Sequence, residues 1–134
     1  MTRTIDPVAS QLPQIFASLP PDTPLVMLNL LRFRDVATYR DGENRGSGRE
    51  AYARYGEVAL RAVQSVGGEA VYQGSARAGI ICPEDELWHE VLLVRYPSVQ
   101  AFQTMLAIPE YREATRHRTA ALEDARLIAT VERR

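Results

Sequence analysis

Residues 24–33 read PLVMLNLLRF, and no strand with one wet face would carry such a run. Side chains alternate between the two faces of a strand, so Leu25, Met27 and Leu31 share one face while Val26, Leu28 and Leu30 share the other. Both rows are apolar, the pattern of a strand covered on both sides, and a single amide, Asn29, stands within the first row. The fold must therefore supply two covers for one sheet.

The rest of the chain limits what those covers can be. A short helix of about residues 10–19 is expected from Ser10 as cap, Pro13 in the first turn and Ile15, Phe16 and Leu19 along one side. Residues 39–50, YRDGENRGSGRE, are Gly-rich, charged and aperiodic, which predicts a loop. Ser47 and Glu50 have capping-box spacing, and Ala51, Tyr55, Val58, Ala59, Ala62, Val63 and Val66 recur at helical spacing until Gly67-Gly68. Extended structure is expected over 69–82 and again over 88–97, WHEVLLVRYP, with CPEDEL as the turn between them. Ser98 caps a helix bearing Ala101, Phe102, Met105 and Leu106, Pro109 and Glu110 open another through about residue 121, and residues 125–131 form a last strand.

After the first short helix the order is strand, helix, strand, strand, helix, strand, the α+β ferredoxin-like βαββαβ plan with a four-stranded antiparallel sheet. Helices of such a unit cover one face only. The simplest second cover is another copy of the same sheet, giving a homodimeric α+β barrel; the alternative is that the N-terminal helix folds across the open face of a monomer. At 134 residues the chain suits one domain spanning 1–134.

Charge and cysteine content exclude several functions. Sixteen basic and 17 acidic side chains nearly cancel, and without a basic stripe nucleic acid is not an expected partner. Cys82 is the single cysteine and there are two histidines, too few for a cysteine-rich zinc site, and no metal or cofactor is expected. The longest apolar run is far too short to span a bilayer, and the first residues lack an apolar core of signal-peptide length. A reducing, cytoplasmic setting and no membrane partner are the expectation.

Taken together, LVMLNLLRF, Gly67-Gly68, VLLVRYPSVQAF, IPEYREATRHR and LIAT resemble a bacterial family of unknown function within the dimeric α+β barrel superfamily, related to antibiotic-biosynthesis-monooxygenase-like proteins. The resemblance spans about residues 25–130, and the RYPS…F…PEY…R string is its most specific part. It implies a ferredoxin-like protomer and a barrel-forming homodimer. It brings no established activity, since that superfamily holds cofactor-free monooxygenases, lactone isomerases, heme-degrading enzymes and non-catalytic members. Where relatives commonly carry an acid this chain has Arg95, and the loop at 39–50 is only partly shared.

Four residues are the candidate ligand-binding set. Asn29 offers an amide to a ligand if its row faces the space between two sheets, and left unpaired there it would cost about 1–3 kcal/mol. Tyr111 and Arg118, seven apart on one helix face and matching the family's PEY…R positions, suit a carboxylate, and Tyr55 can turn its hydroxyl toward the same pocket. Each has a plain structural alternative: Asn29 pairing with a neighbour, Arg118 clamping an acid or a helix end. His89 and His117 are candidate general bases, yet one opens a strand and the other stands between two arginines. Asn29, Trp88 and His117 reproduce the residue types used by heme-degrading relatives, but 29 residues separate the last two. Tyr52, Tyr72 and Tyr96 are expected in the core or at its rim. Cys82 has no basic neighbour to activate it, and GENRGSG lacks a phosphate loop's ending, which leaves it a flap at the barrel mouth or a surface loop. The expected function is a small-molecule pocket with apolar or anionic ligand, in a cofactor-free oxygenase or isomerase, or else in a non-catalytic ligand-binding or assembly module.

Overall fold

The computed structural model describes residues 2–133. A 3-10 turn, Ala9–Gln11, leads into α1 (Leu12–Ser18); then follow β1 (Leu25–Phe33), α2 (Gly48–Ser65), β2 (Glu69–Ser75), β3 (Glu90–Tyr96), α3 (Val99–Leu106), α4 (Pro109–Ala121) and β4 (Leu122–Thr130). The sheet order is β2-β3-β1-β4, with antiparallel pairing throughout. This is the α+β ferredoxin-like fold. None of its described helices is long and apolar enough to cross a membrane.

Strand β1 lies between β3 and β4, and its two rows have different fates. Leu25, Met27 and Leu31 are buried against the helices, where Val94, Tyr96, Val63, Phe102 and Met105 close over the first two. The sheet register places Asn29 in this same helix-facing row, opposite Leu92 and Leu127. The expectation that this row could face a second sheet is therefore corrected: the pleat turns Val26, Leu28 and Leu30 outward instead, beside Val91, Leu93, Ile128 and Tyr72. Helix α1 does not cover that outer face either. Its Phe16 meets the Phe102 ring edge-on at 5.9 Å on the helical side, because the strap that precedes it is tied to α4 and β4.

Local signals place most of the boundaries. The Ser47 hydroxyl accepts from the Glu50 N–H at 3.1 Å and the Glu50 carboxylate accepts from the Ser47 N–H at 2.9 Å, a complete capping box. Gly67, at φ 83°, ends α2 where a side chain would be strained. Ser98 caps α3 as expected. Ser10 makes no cap bond, since it falls within the 3-10 turn and Gln11 takes the cap position. The expected strand over 69–82 ends at Ser75; the Ala76 N–H still donates to the His89 carbonyl at 3.0 Å, but the segment beyond has no partner strand among the described residues, leaving Ile80 and Ile81 90% and 97% exposed. Strand β4 starts three residues earlier than expected, because Leu122 is fully buried directly after α4.

Both histidines hold the fold together. The Phe33 N–H donates to His89 Nδ1 at 2.9 Å, and the imidazole stacks on the Phe33 ring. Arg54 donates to the Tyr39 hydroxyl at 2.7 Å, and that hydroxyl shares a hydrogen bond of 2.6 Å with His117 Nδ1. That chain pins the loop between β1 and α2 onto α2 and α4. Its Ala37 and Tyr39 are buried with Leu31 and Ala121, so the loop is anchored rather than a flap. Burial, followed by Arg49 and Arg32 for His89 and by Arg116, Arg54 and Arg45 for His117, holds both imidazoles below their ordinary value.

Two predictions follow from this geometry. A Cβ at Gly48 would lie 2.2 Å from the Arg34 carbonyl oxygen and 2.6 Å from that of Ala121, where α2, β1 and the α4–β4 junction meet. Gly48→Ala should therefore lower stability by about 1–3 kcal/mol in urea unfolding, against about 1 kcal/mol for Ser47→Ala. The second concerns acid. Because both histidines are depressed in the fold, the unfolded chain takes up protons first as pH falls, so their contribution is complete above 6.5 and is lost as pH drops toward the folded values. Melting temperature should fall between about pH 7 and pH 5, and His117→Asn, which keeps an acceptor for Tyr39, should reduce that fall.

Candidate functional site

Between the helical face of the sheet and the N-terminal segment lies a cavity of about 970 Å³. Its walls are mostly apolar: Met27, Leu92 and Leu127 come from the sheet, Ala59 from α2 and Phe16 from α1. Such a volume and lining are those of small-molecule sites. Asn29, Tyr55, Tyr111 and Arg118 all border this one cavity, although they come from β1, α2 and α4.

Each polar group is held differently. Asn29 Nδ2 donates to the Leu92 carbonyl at 3.2 Å and, at the limit of bonding, to that of Met27 at 3.4 Å. Two acceptors for the nitrogen fix the amide's orientation, leaving the side-chain oxygen with no protein donor among the described residues. The Tyr55 and Tyr111 hydroxyls share a hydrogen bond of 2.9 Å. Burial, reinforced by Tyr111, pushes the Tyr55 phenol well up, so it is a neutral donor at any ordinary pH. Tyr52, one helical turn earlier, borders the same cavity; burial raises its phenol to about 12, opposed by the charge of Arg118.

Arg118 is 13% exposed and ties α4 to the N-terminal strap. Its Nη1 donates to the Ile5 carbonyl at 2.6 Å and lies 3.9 Å from the Asp6 carboxylate, which also accepts from Thr119 at 2.8 Å. Part of the structural alternative for this arginine is thus realised. The strap continues along β4: the Thr4 N–H donates to Asp124 at 2.9 Å, and the Ala125 N–H donates to the Thr4 carbonyl at 2.7 Å. Burial alone would raise the Asp124 carboxyl, but the Thr4 N–H and the Arg126 guanidinium bring it below its ordinary value. These bonds place Ile5 and Pro7, with α1 behind them, as the roof of the cavity.

Other sequence candidates lie elsewhere. Neither histidine borders this cavity; His117 lines a shallow groove between α2 and α4. Trp88 stacks with the Arg126 guanidinium 5.1 Å over its ring and also lies outside the cavity, so Asn29, Trp88 and His117 are not brought together. Arg95 belongs to the outer row of β3, and its departure from the family pattern does not alter the cavity. The Cys82 thiol donates to Glu86 at 3.1 Å and is pushed up by that bond, the reverse of activation. No group of three or more metal-ligating side chains occurs among the described residues. Two participants escaped sequence reading. Tyr52 could have been found from its spacing of three to Tyr55 on the apolar face of α2, whereas nothing in the sequence marks Asp6 as a neighbour of Arg118.

No curated protein matches the chain in sequence. Among solved structures, the RPA0582 protein of unknown function from Rhodopseudomonas palustris is 41% identical over 99% of each chain, with a TM-score of 0.91. The methylated RPA0582 protein gives 42% identity over 100% of this chain and 98% of that one, with a TM-score of 0.93. A hydroxynitrile lyase from Passiflora edulis shares the fold at 10% identity, over 84% of this chain and 96% of its own, with a TM-score of 0.56. Residues 37–131 match the profile of a domain of unknown function, DUF1330, and the chain belongs to that family.

Proposed function

We propose that this chain, acting as one domain over residues 1–134, binds a small apolar or anionic molecule in the cavity beneath its N-terminal segment and acts on it without metal or organic cofactor, as an oxygenase or isomerase. The observation that carries this reading is the convergence of Asn29, Tyr55, Tyr111 and Arg118 on one apolar cavity of about 970 Å³. An amide oxygen without a donor, a pair of neutral phenols and a guanidinium can orient a partly polar ligand and stabilise charge that develops on it. The engagement of both histidines outside the cavity favours a second reading, a non-catalytic ligand-binding module.

The working unit in this proposal is a homodimer in the cytoplasm. Val26, Leu28, Leu30, Val91 and Leu93 form a contiguous apolar row with no helix over it, and a second copy is the cover of matching shape and chemistry. A near-neutral net charge supports a small molecule rather than nucleic acid as ligand.

Native mass spectrometry of freshly purified protein tests both parts. The expected result is a dimer carrying additional mass, with Asn29→Ala losing at least part of the bound molecule while staying dimeric. A ligand-free monomer would overturn the reading. Introducing Leu28→Asp together with Leu93→Asp should give a folded monomer by circular dichroism, since a carboxylate in a dry sheet-to-sheet contact costs several kcal/mol. A dimer that survives both changes would sink the sheet-to-sheet arrangement.

A further inference from the structure

We infer that the cavity's ligand is an apolar carboxylic acid, its carboxylate bound by the free side of the Arg118 guanidinium next to the Tyr52 hydroxyl. This deepens the small-molecule reading above and rests on it.

The argument begins with unmet donors. A guanidinium carries five N–H groups in a fixed fork, and among the described residues only Nη1 of Arg118 has an acceptor, the Ile5 carbonyl. Nε and Nη2 have none, although the side chain is 13% exposed and borders the cavity. The Tyr52 hydroxyl, also bordering it, makes no hydrogen bond among the described residues. Donors that border the cavity and have no protein acceptor among the described residues are available to a ligand's oxygens.

Charge then selects the acceptor. Among the described residues the nearest carboxylate to Arg118 is Asp6, at 3.9 Å and with a half-exposed side chain already engaged by Thr119. A cation with one distant, hydrated counter-ion attracts a second anion more strongly than a neutral carbonyl, and a carboxylate matches the fork through two parallel N–H···O bonds. Arg118 borders the cavity together with the phenols of Tyr52, Tyr55 and Tyr111. Apolar walls from Met27, Leu92, Leu127 and Phe16 leave the rest of the space for a hydrocarbon body. Asp6 has a second effect: its negative charge opposes a ligand carboxylate arriving at Arg118.

Calorimetric titration of the full-length protein with octanoate and with 1-octanol, at one pH near neutrality, tests this. Wild type should bind octanoate at least tenfold more tightly than octanol. Arg118→Gln should abolish that preference, octanoate affinity falling at least tenfold relative to that of octanol. Asp6→Asn, which keeps an acceptor for Thr119 and the fold with it, should tighten octanoate a few-fold without affecting octanol. Equal affinities in wild type, or a preference that neither variant alters, would remove the carboxylate subsite while leaving the cavity reading standing. If neither compound binds, the inference fails, and the mass measured on the native protein decides separately whether the cavity holds another ligand.

Discussion

The two-sided hydrogen bonding of β1 is the constraint on which the molecule depends. Each of its residues from Val26 to Leu31 is paired with β3 on one edge and with β4 on the other. That double ladder removes any freedom of register, since a shift by one residue would carry Leu25, Met27 and Leu31 out of the core and bring Arg32 into it. It also sets Asn29 opposite Leu92, whose carbonyl receives the amide. A polar group can therefore sit in an apolar row because the neighbouring strand supplies a partner for its nitrogen while the cavity lies beside its oxygen.

The cavity exists because the N-terminal segment is held by polar bonds rather than packed tightly. No residue of α1 is fully buried, and the segment is fastened at Asp124, Ala125, Arg118 and Thr119. Side chains fixed in this way leave space beneath them that close packing of an apolar helix would have filled. The buried Asp124 carboxylate is central to the arrangement. It receives the Thr4 N–H and the Arg126 guanidinium, and so ties the beginning of the strap to β4.

The family relationship extends this picture without naming a reaction. RPA0582 shares two-fifths of its residues with this chain over nearly the full length, whereas the Passiflora edulis lyase shares a tenth and still adopts the same fold. A framework so tolerant of sequence says little about chemistry, which depends on what the cavity presents. In this chain it presents neutral phenols, one amide oxygen and one guanidinium, with the imidazoles turned to structural tasks.

Much of the protein was legible residue by residue. The apolar run of PLVMLNLLRF announced a strand, Ser47 and Glu50 announced the start of α2, and Gly67 its end, because these are local effects decided by spacing and backbone sterics. The seven-residue spacing of Tyr111 and Arg118 put them on one helical face for the same reason. Local pattern was silent wherever a long-range partner decided the outcome. The residues after Ala76 have strand-like composition but no cross-strand backbone bond among the described residues, and the two faces of β1 are nearly equivalent in sequence, so the connection to α2 had to choose which would meet the helices. Composition and periodicity thus determined the elements and their order. Tertiary structure alone decided that Asn29 faces the helices, that the N-terminal strap rather than the 39–50 loop roofs the cavity, and that Asp6 stands beside Arg118, because these depend on contacts between residues as far as 121 positions apart, whose energy no short window of sequence contains.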